Sequence, residues 1–164
     1  CTLAYCSIVY VVSKQPPELF RFGLFLLMCT AVTLLTQAVG VLVGCSLSIK
    51  HGVVFGPLAI MPWVIFSGFF LHISDAPSPL QWLFHTSFLK YGLEGLMLAI
   101  YGYNRGRIAC SDDYCHFRKP SKFLKEMDMS GASYTHSLGV ILAMYLGVKV
   151  VTYYMLRYQL SHRR

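Results

Sequence analysis

Apolar positions run together along this chain in blocks too long for the alternating or amphipathic patterns of a soluble fold, and polar residues gather between the blocks. Residues 22–49 carry no formal charge, residues 52–74 carry none, and residues 129–156 carry only Lys149. At about 1.5 Å per helical residue, each block exceeds the roughly 30 Å hydrocarbon core of a bilayer. The pattern therefore predicts membrane-spanning helices over 20–49, 53–73 and 134–156. A shorter apolar block over 1–13 predicts only the last part of another span. With no Met before Cys1 and no signal-peptide pattern, the chain is expected to be the C-terminal part of a longer protein.

The polar connections give the order of these elements. SKQPPELFRF, with Pro16 and Pro17, ends one helix and starts the next, so the two form a hairpin. Lys50 and His51 make a tight turn between the next two. Pro57 and Pro62 remove backbone donors inside the 53–73 segment and predict a bend, tolerated in lipid where neighbours or a cavity satisfy the freed carbonyls. Residues 76–89 are free of charge but too short to cross, and Lys90, Gly92, Glu94 and Gly95 interrupt the apolar run on their C-terminal side. Residues 76–100 thus predict a re-entrant helical pair that returns to the face it left, with Trp82, Tyr91, Tyr101 and Tyr103 at headgroup level. The polar stretch 101–133 predicts an external loop with a short helix starting near Pro120.

Composition narrows the function. Of 164 residues, 55% are hydrophobic and 13% charged, against about 25% charged in soluble domains. The fold class expected is an all-α membrane protein. The net charge of +7 is spread over loops and a basic tail at 157–164, not along an aromatic-interleaved stripe, which argues against a nucleic-acid partner. No G-x-x-x-x-G-K-[ST] phosphate loop, nucleophile–base spacing or acidic filter motif occurs, so neither catalysis nor ion conduction is expected of these residues. Lys50, Arg157, Arg163 and Arg164 put the C-terminus in the cytoplasm and the 101–133 loop outside.

Several constellations stand out. Thr36, Gly40, Gly44 and Ser48 recur every four residues, a small-residue ridge on one helix face that suits helix packing. Gln37 suits a bond across helices or a contact with a substrate hydroxyl. Lys149 lies about 12 Å inside its span, placed to snorkel to the inner interface or to pair. Glu94 is placed to pair with Lys90 one turn away. His72, His85 and His136 suit interfacial anchoring. Cys110 and Cys115 fit a small disulfide-closed loop, free thiols, or a metal site with His116. Val151, Tyr153 and Arg157 match a loose sterol-contact pattern. In VIFSGFFLHI, a Ser67-Gly68 break precedes Phe69 and Phe70.

Taken in order, TQAVGVLVG (36–44), GPLAIMPWVIFSGFF (56–70), LQWLFHTSFLKYGLEGL (80–96), the CSDDYCHF loop with FLKEMD, and the terminal LRY resemble the membrane region of G-subfamily, White-type ATP-binding cassette half-transporters. They are most similar to the sterol-exporting branch. The resemblance implies an ABC-2 type helix bundle holding the end of the third span, the fourth to sixth spans, a re-entrant segment and an external loop. It implies a homodimer or heterodimer of half-transporters in the plasma or an endosomal membrane, exporting a lipid or sterol. ATP and Mg would be held by a nucleotide-binding domain outside these residues. Phe69 and Phe70 match the family's apolar plug above a central cavity, with Gly68 as its pivot and Met61, Ile65 and Phe66 on the cavity wall. The chain departs from the family in Lys90-Tyr91-Gly92, where Arg-Tyr-Gly is frequent, and in Gln37-Ala38, where Gln-Ser is. A non-transporting polytopic scaffold is the other reading of the composition.

Overall fold

The computed structural model describes residues 2–15, 18–47, 49–70, 77, 80–103, 105–106, 120–127, 129 and 131–162. Seven helices occur among them: α1 (Thr2–Val12), α2 (Leu19–Ser46), α3 (Ile49–Ile65), α4 (Gln81–Thr86), α5 (Phe88–Tyr101), α6 (Pro120–Glu126) and α7 (Tyr134–His162). There is no strand among the described residues. Ser48, His72, Cys110 and Cys115, singled out above, lie outside them, as do residues 107–119 of the 101–133 loop.

α2 and α7 are the two described helices long and apolar enough to cross a bilayer. The hydroxyl side chains of α2 are satisfied within it. Thr30, Thr33, Thr36 and Ser46 each donate a hydroxyl to the carbonyl four residues back, at 2.6–2.8 Å. Such bonds let hydroxyls enter hydrocarbon without an orphaned donor. α3 differs from the 53–73 segment expected: it begins at Ile49 and ends at Ile65. Its 17 residues extend about 25 Å. α7 continues six residues past the expected end at 156, because nothing in LRYQLSH breaks a helix.

Contacts fix the directions. The Tyr134 hydroxyl at the start of α7 donates to Leu24 O near the start of α2 at 2.8 Å. At the far end, Gln159 Nε2 donates to Cys45 O at 2.6 Å. α2 and α7 therefore run parallel, and the start of α3, which takes in Lys50 and His51 where a tight turn was expected, shares one end of the bundle with the C-terminal end of α7. α5 runs antiparallel to α2 and finishes beside its first turn. The core lies where these three helices meet, with Met28, Ala31 and Leu35 of α2, Phe88, Tyr91 and Ala99 of α5, and Tyr134 and Ile141 of α7.

Close approach at this core depends on α5. A Cβ added at Gly92 would lie 2.8 Å from Val32 Cγ2, and one at Gly95 would overlap the Met28 thioether. The glycines that looked like interruptions in the sequence are where α5 seats on α2. Arg21 locks the same pair at its end. The residue is 6% exposed and donates from Nη1 to Gly102 O at 2.8 Å and from Nη2 to Tyr103 O at 3.1 Å, with Nε on the Glu18 carboxylate. Tyr103 sits at φ +52°, a left-handed turn that ends the helix, and the guanidinium holds its carbonyl. Arg105 adds a bond from Nη1 to Ile100 O at 3.1 Å.

Candidate functional site

The α3 terminus is set by local backbone chemistry. Phe66 N–H still bonds Pro62 O at 2.9 Å, but Ser67 N–H turns to Val64 O, three residues back, at 3.2 Å. Gly68 then takes φ +86°, a conformation that side-chain-bearing residues rarely adopt and glycine takes freely. Trp63 O is left at the helix end, where it accepts the fully buried Ser87 hydroxyl at 2.9 Å. Ser87 occupies the break between α4 and α5, so one hydroxyl joins the end of α3 to the turn of the helical pair.

This break separates three phenylalanines. Phe66 stacks edge-on against the buried Phe84 of α4, with centroids 5.2 Å apart. Phe69 and Phe70, past Gly68, pack against one another at 5.2 Å and are 55% and 65% exposed. Phe70 reaches the wall of an apolar groove of about 920 Å³ between α2 and α3. Thr36, Gly40 and Gly44 line its α2 side, and Gly56, Met61 and Ile65 its α3 side. That volume falls in the ordinary small-molecule range of about 300–1,000 Å³.

The groove gathers much of what the sequence singled out, with some redistribution. The ridge of Thr36, Gly40 and Gly44 lies about 150° around α2 from the Met28–Ala31–Leu35 core face at 100° per residue. It meets no closely packed helix within the chain: a Cβ at Gly40 or Gly44 would find no described heavy atom within 4 Å. Among the described residues the tight helix contact is made by Gly92 and Gly95 instead. Phe66 is turned to α4 and does not line the groove, and Gln37 is exposed and does not line it either.

A second pocket, of about 530 Å³, begins at Ser67 and Gly68, on the α3 break itself. Its other walls carry His85 of α4, Lys90, Tyr91 and Glu94 of α5, and His136 of α7. The expected Lys90–Glu94 ion pair does not form: among the described residues the one salt bridge within 4.0 Å is Arg21–Glu18. Lys90 Nζ lies 5.4 Å from the Tyr91 ring centroid instead. Its partial burial in this helix, too short to span, lowers its pKa, and the charge of Glu94 opposes that shift. Two compartments thus adjoin one helix break, almost wholly apolar on the side of Ile65 and Phe70 and mixed on the side of Ser67 and Gly68, where charged, imidazole and hydroxyl groups share the wall with Met127, Met129 and Ala132.

Lys149 is exposed on α7, and its ammonium lies 5.6 Å from the Tyr145 ring centroid, one turn toward the helix start. It pairs with an aromatic ring and points away from the Arg157 end, because helical side chains lean toward the N-terminus. Sequence reasoning missed Arg21 altogether. Its carbonyl partners lie 79 to 82 residues along the chain, and only the rarity of an arginine at the start of so apolar a segment signals them.

The ABC-2 type transporter family matches residues 1–101. ABC transporter G family member 1 of Dictyostelium discoideum is 24% identical over 92% of this chain, which covers 20% of that relative. Protein white of Drosophila melanogaster is 30% identical over 66% of this chain and 16% of its own length. ABC transporter G family member 26 of Arabidopsis thaliana is 27% identical over 87% of this chain and 20% of its own. The chain therefore spans about a fifth of the length of the curated relatives it matches. With the helical bundle, these matches make it a transmembrane component: the chain belongs to the ABC-2 type transporter family, within the G-subfamily, White-like group.

Proposed function

We propose that these residues form part of the permease of an ATP-driven exporter that moves an apolar lipid, of sterol type, between two half-transporters. The observation that carries this reading is the meeting of Met61, Ile65 and Phe70 with the α2 ridge around one apolar groove of about 920 Å³. In a dimer, identical or mixed, the exposed Phe69 and Phe70 face their counterparts. Paired rings exclude water and ions yet slide apart for an oily solute, and Gly68 supplies the backbone freedom to do so. ATP with Mg, bound by a nucleotide-binding domain outside these residues, supplies the free energy that alternates the two halves. Within this chain, α3 and the groove wall respond by narrowing behind the cargo. The Lys50 end and the C-terminal end of α7 face the cytoplasm in this reading, and the 101–133 loop faces outward, at the plasma or an endosomal membrane.

The test is Phe69→Ala combined with Phe70→Ala in the full-length transporter, assayed for lipid export from vesicles at matched surface expression. Export should fall severalfold, or ATP turnover should continue without it. Unchanged coupled export removes the gate. A full-length gene without a nucleotide-binding cassette removes the exporter as a whole and favours a membrane scaffold.

A further inference from the structure

The pocket of mixed lining beside the gate holds charges that apolar cargo does not use. Lys90 and Glu94 line it one helical turn apart, about 5–6 Å between Cβ atoms. Opposite charges at that spacing ordinarily close on each other, yet no ion pair within 4.0 Å joins them, and among the described residues neither meets another opposite charge. The Lys90 ammonium rests by the Tyr91 ring, and Glu94 opens on the same 530 Å³. Imidazoles of His85 and His136 and the hydroxyls of Ser67 and Ser133 complete the polar wall. A simple anion here meets Glu94, and a simple cation meets Lys90. A neutral apolar molecule strips water from both charges and returns nothing. A ligand with both signs a few ångströms apart satisfies both at once, with imidazole and hydroxyl donors left for its anionic end.

We propose that this pocket binds a zwitterionic group, its phosphate or carboxylate toward Lys90 and its ammonium toward Glu94. The assignment rests on the exporter reading for its use: Ser67 and Gly68 belong both to the pocket wall and to the break that carries Phe69 and Phe70, so an amphiphile leaving the groove presents its polar end here. Binding itself is independent of that use.

The experiment is calorimetric titration of the full-length protein, in non-ionic detergent, with dihexanoyl phosphatidylcholine below its micelle threshold, dihexanoyl phosphatidylglycerol, and free phosphocholine. Lys90→Gln and Glu94→Gln should each weaken the zwitterionic lipid about tenfold, the first by losing a charge-assisted hydrogen bond to the phosphate, the second by losing the ionic contact with the quaternary ammonium, which has no N–H to donate. For the anionic lipid the two variants should diverge, Lys90→Gln weakening it and Glu94→Gln strengthening it. Lys90→Arg, which keeps the charge, should retain affinity at an unchanged melting temperature, separating recognition from a folding defect. Free phosphocholine binding with the same sensitivity extends the site to soluble zwitterions, and its failure while the lipid binds restricts it to headgroups; either supports the pocket. Wild-type protein that binds none of the probes, or affinities indifferent to both glutamine variants, overturns it. Because no turnover is read, loss of export in a Phe69/Phe70 variant with normal titration leaves the pocket standing.

Discussion

Gly92→Ala is the sharpest probe of how this bundle is held together. The new methyl would lie 2.8 Å from Val32 Cγ2, where carbon atoms prefer about 3.5–4.0 Å. Val32 is β-branched and holds one rotamer in a helix, so it cannot turn away; α5 must lift from α2 or Val32 must leave its well. Overpacking of this kind costs about 1–3 kcal/mol, against about 1 kcal/mol that alanine gains over glycine as a helix former. The expected net loss is about 0–2 kcal/mol, and about 1–3 kcal/mol relative to a helix glycine whose replacement meets no clash. Gly147→Ala, where the added Cβ meets no described heavy atom within 4 Å, keeps only the propensity term and should be neutral or stabilising. Val32→Ala should destabilise the native protein yet recover most of the loss in the Gly92→Ala background, a coupling of about 1 kcal/mol or more. Denaturant titration of the full-length protein in detergent measures all four. Gly92→Ala as stable as Gly147→Ala, or a double variant that is simply additive, refutes the close seat of α5 on α2.

Two further substitutions test the polar joints. Arg21→Met removes the donors of the Gly102 and Tyr103 carbonyls, while the exposed Glu18 keeps its water, and should lower stability by about 1–3 kcal/mol. Arg21→Lys should recover only part of that, since one ammonium cannot span the acceptors of a fork; full recovery in a thermal melt would show the joint to be a matter of charge alone. Ser87→Ala leaves the Trp63 carbonyl at the end of α3 without its donor and should cost about 1–3 kcal/mol in the same melt, whereas Ser87→Thr keeps the hydroxyl and should cost less. Equal losses for the two would assign the effect to packing.

Helix positions were legible because they depend on properties that lie along the chain. Long stretches with almost no charge gave α2 and α7, and the prolines of SKQPPELFRF separated α1 from α2; the end of α3 was read too far along, at 73, whereas the helix stops at Ile65 just before the Ser67-Gly68 step, and α7 runs on to His162. Which faces meet was not legible, and the reason is the solvent. α2 is apolar on nearly every side, so hydrophobic contrast cannot say whether Met28 or Gly40 turns inward. Between helices in lipid that contrast provides little drive, and closeness of fit and satisfaction of backbone polar groups decide instead. Both require a partner that the local sequence does not name. Gly92 and Gly95 have meaning only against Val32 and Met28, Arg21 only against carbonyls some 80 residues away, and Ser87 only against the Trp63 carbonyl in the last turn of α3. Lys90 and Glu94 show the converse: their spacing allows a pair, and the surrounding cavity leaves both charges open to something else. In a chain this apolar, the few small and polar residues therefore specify the assembly, and the apolar majority specifies only that there is one.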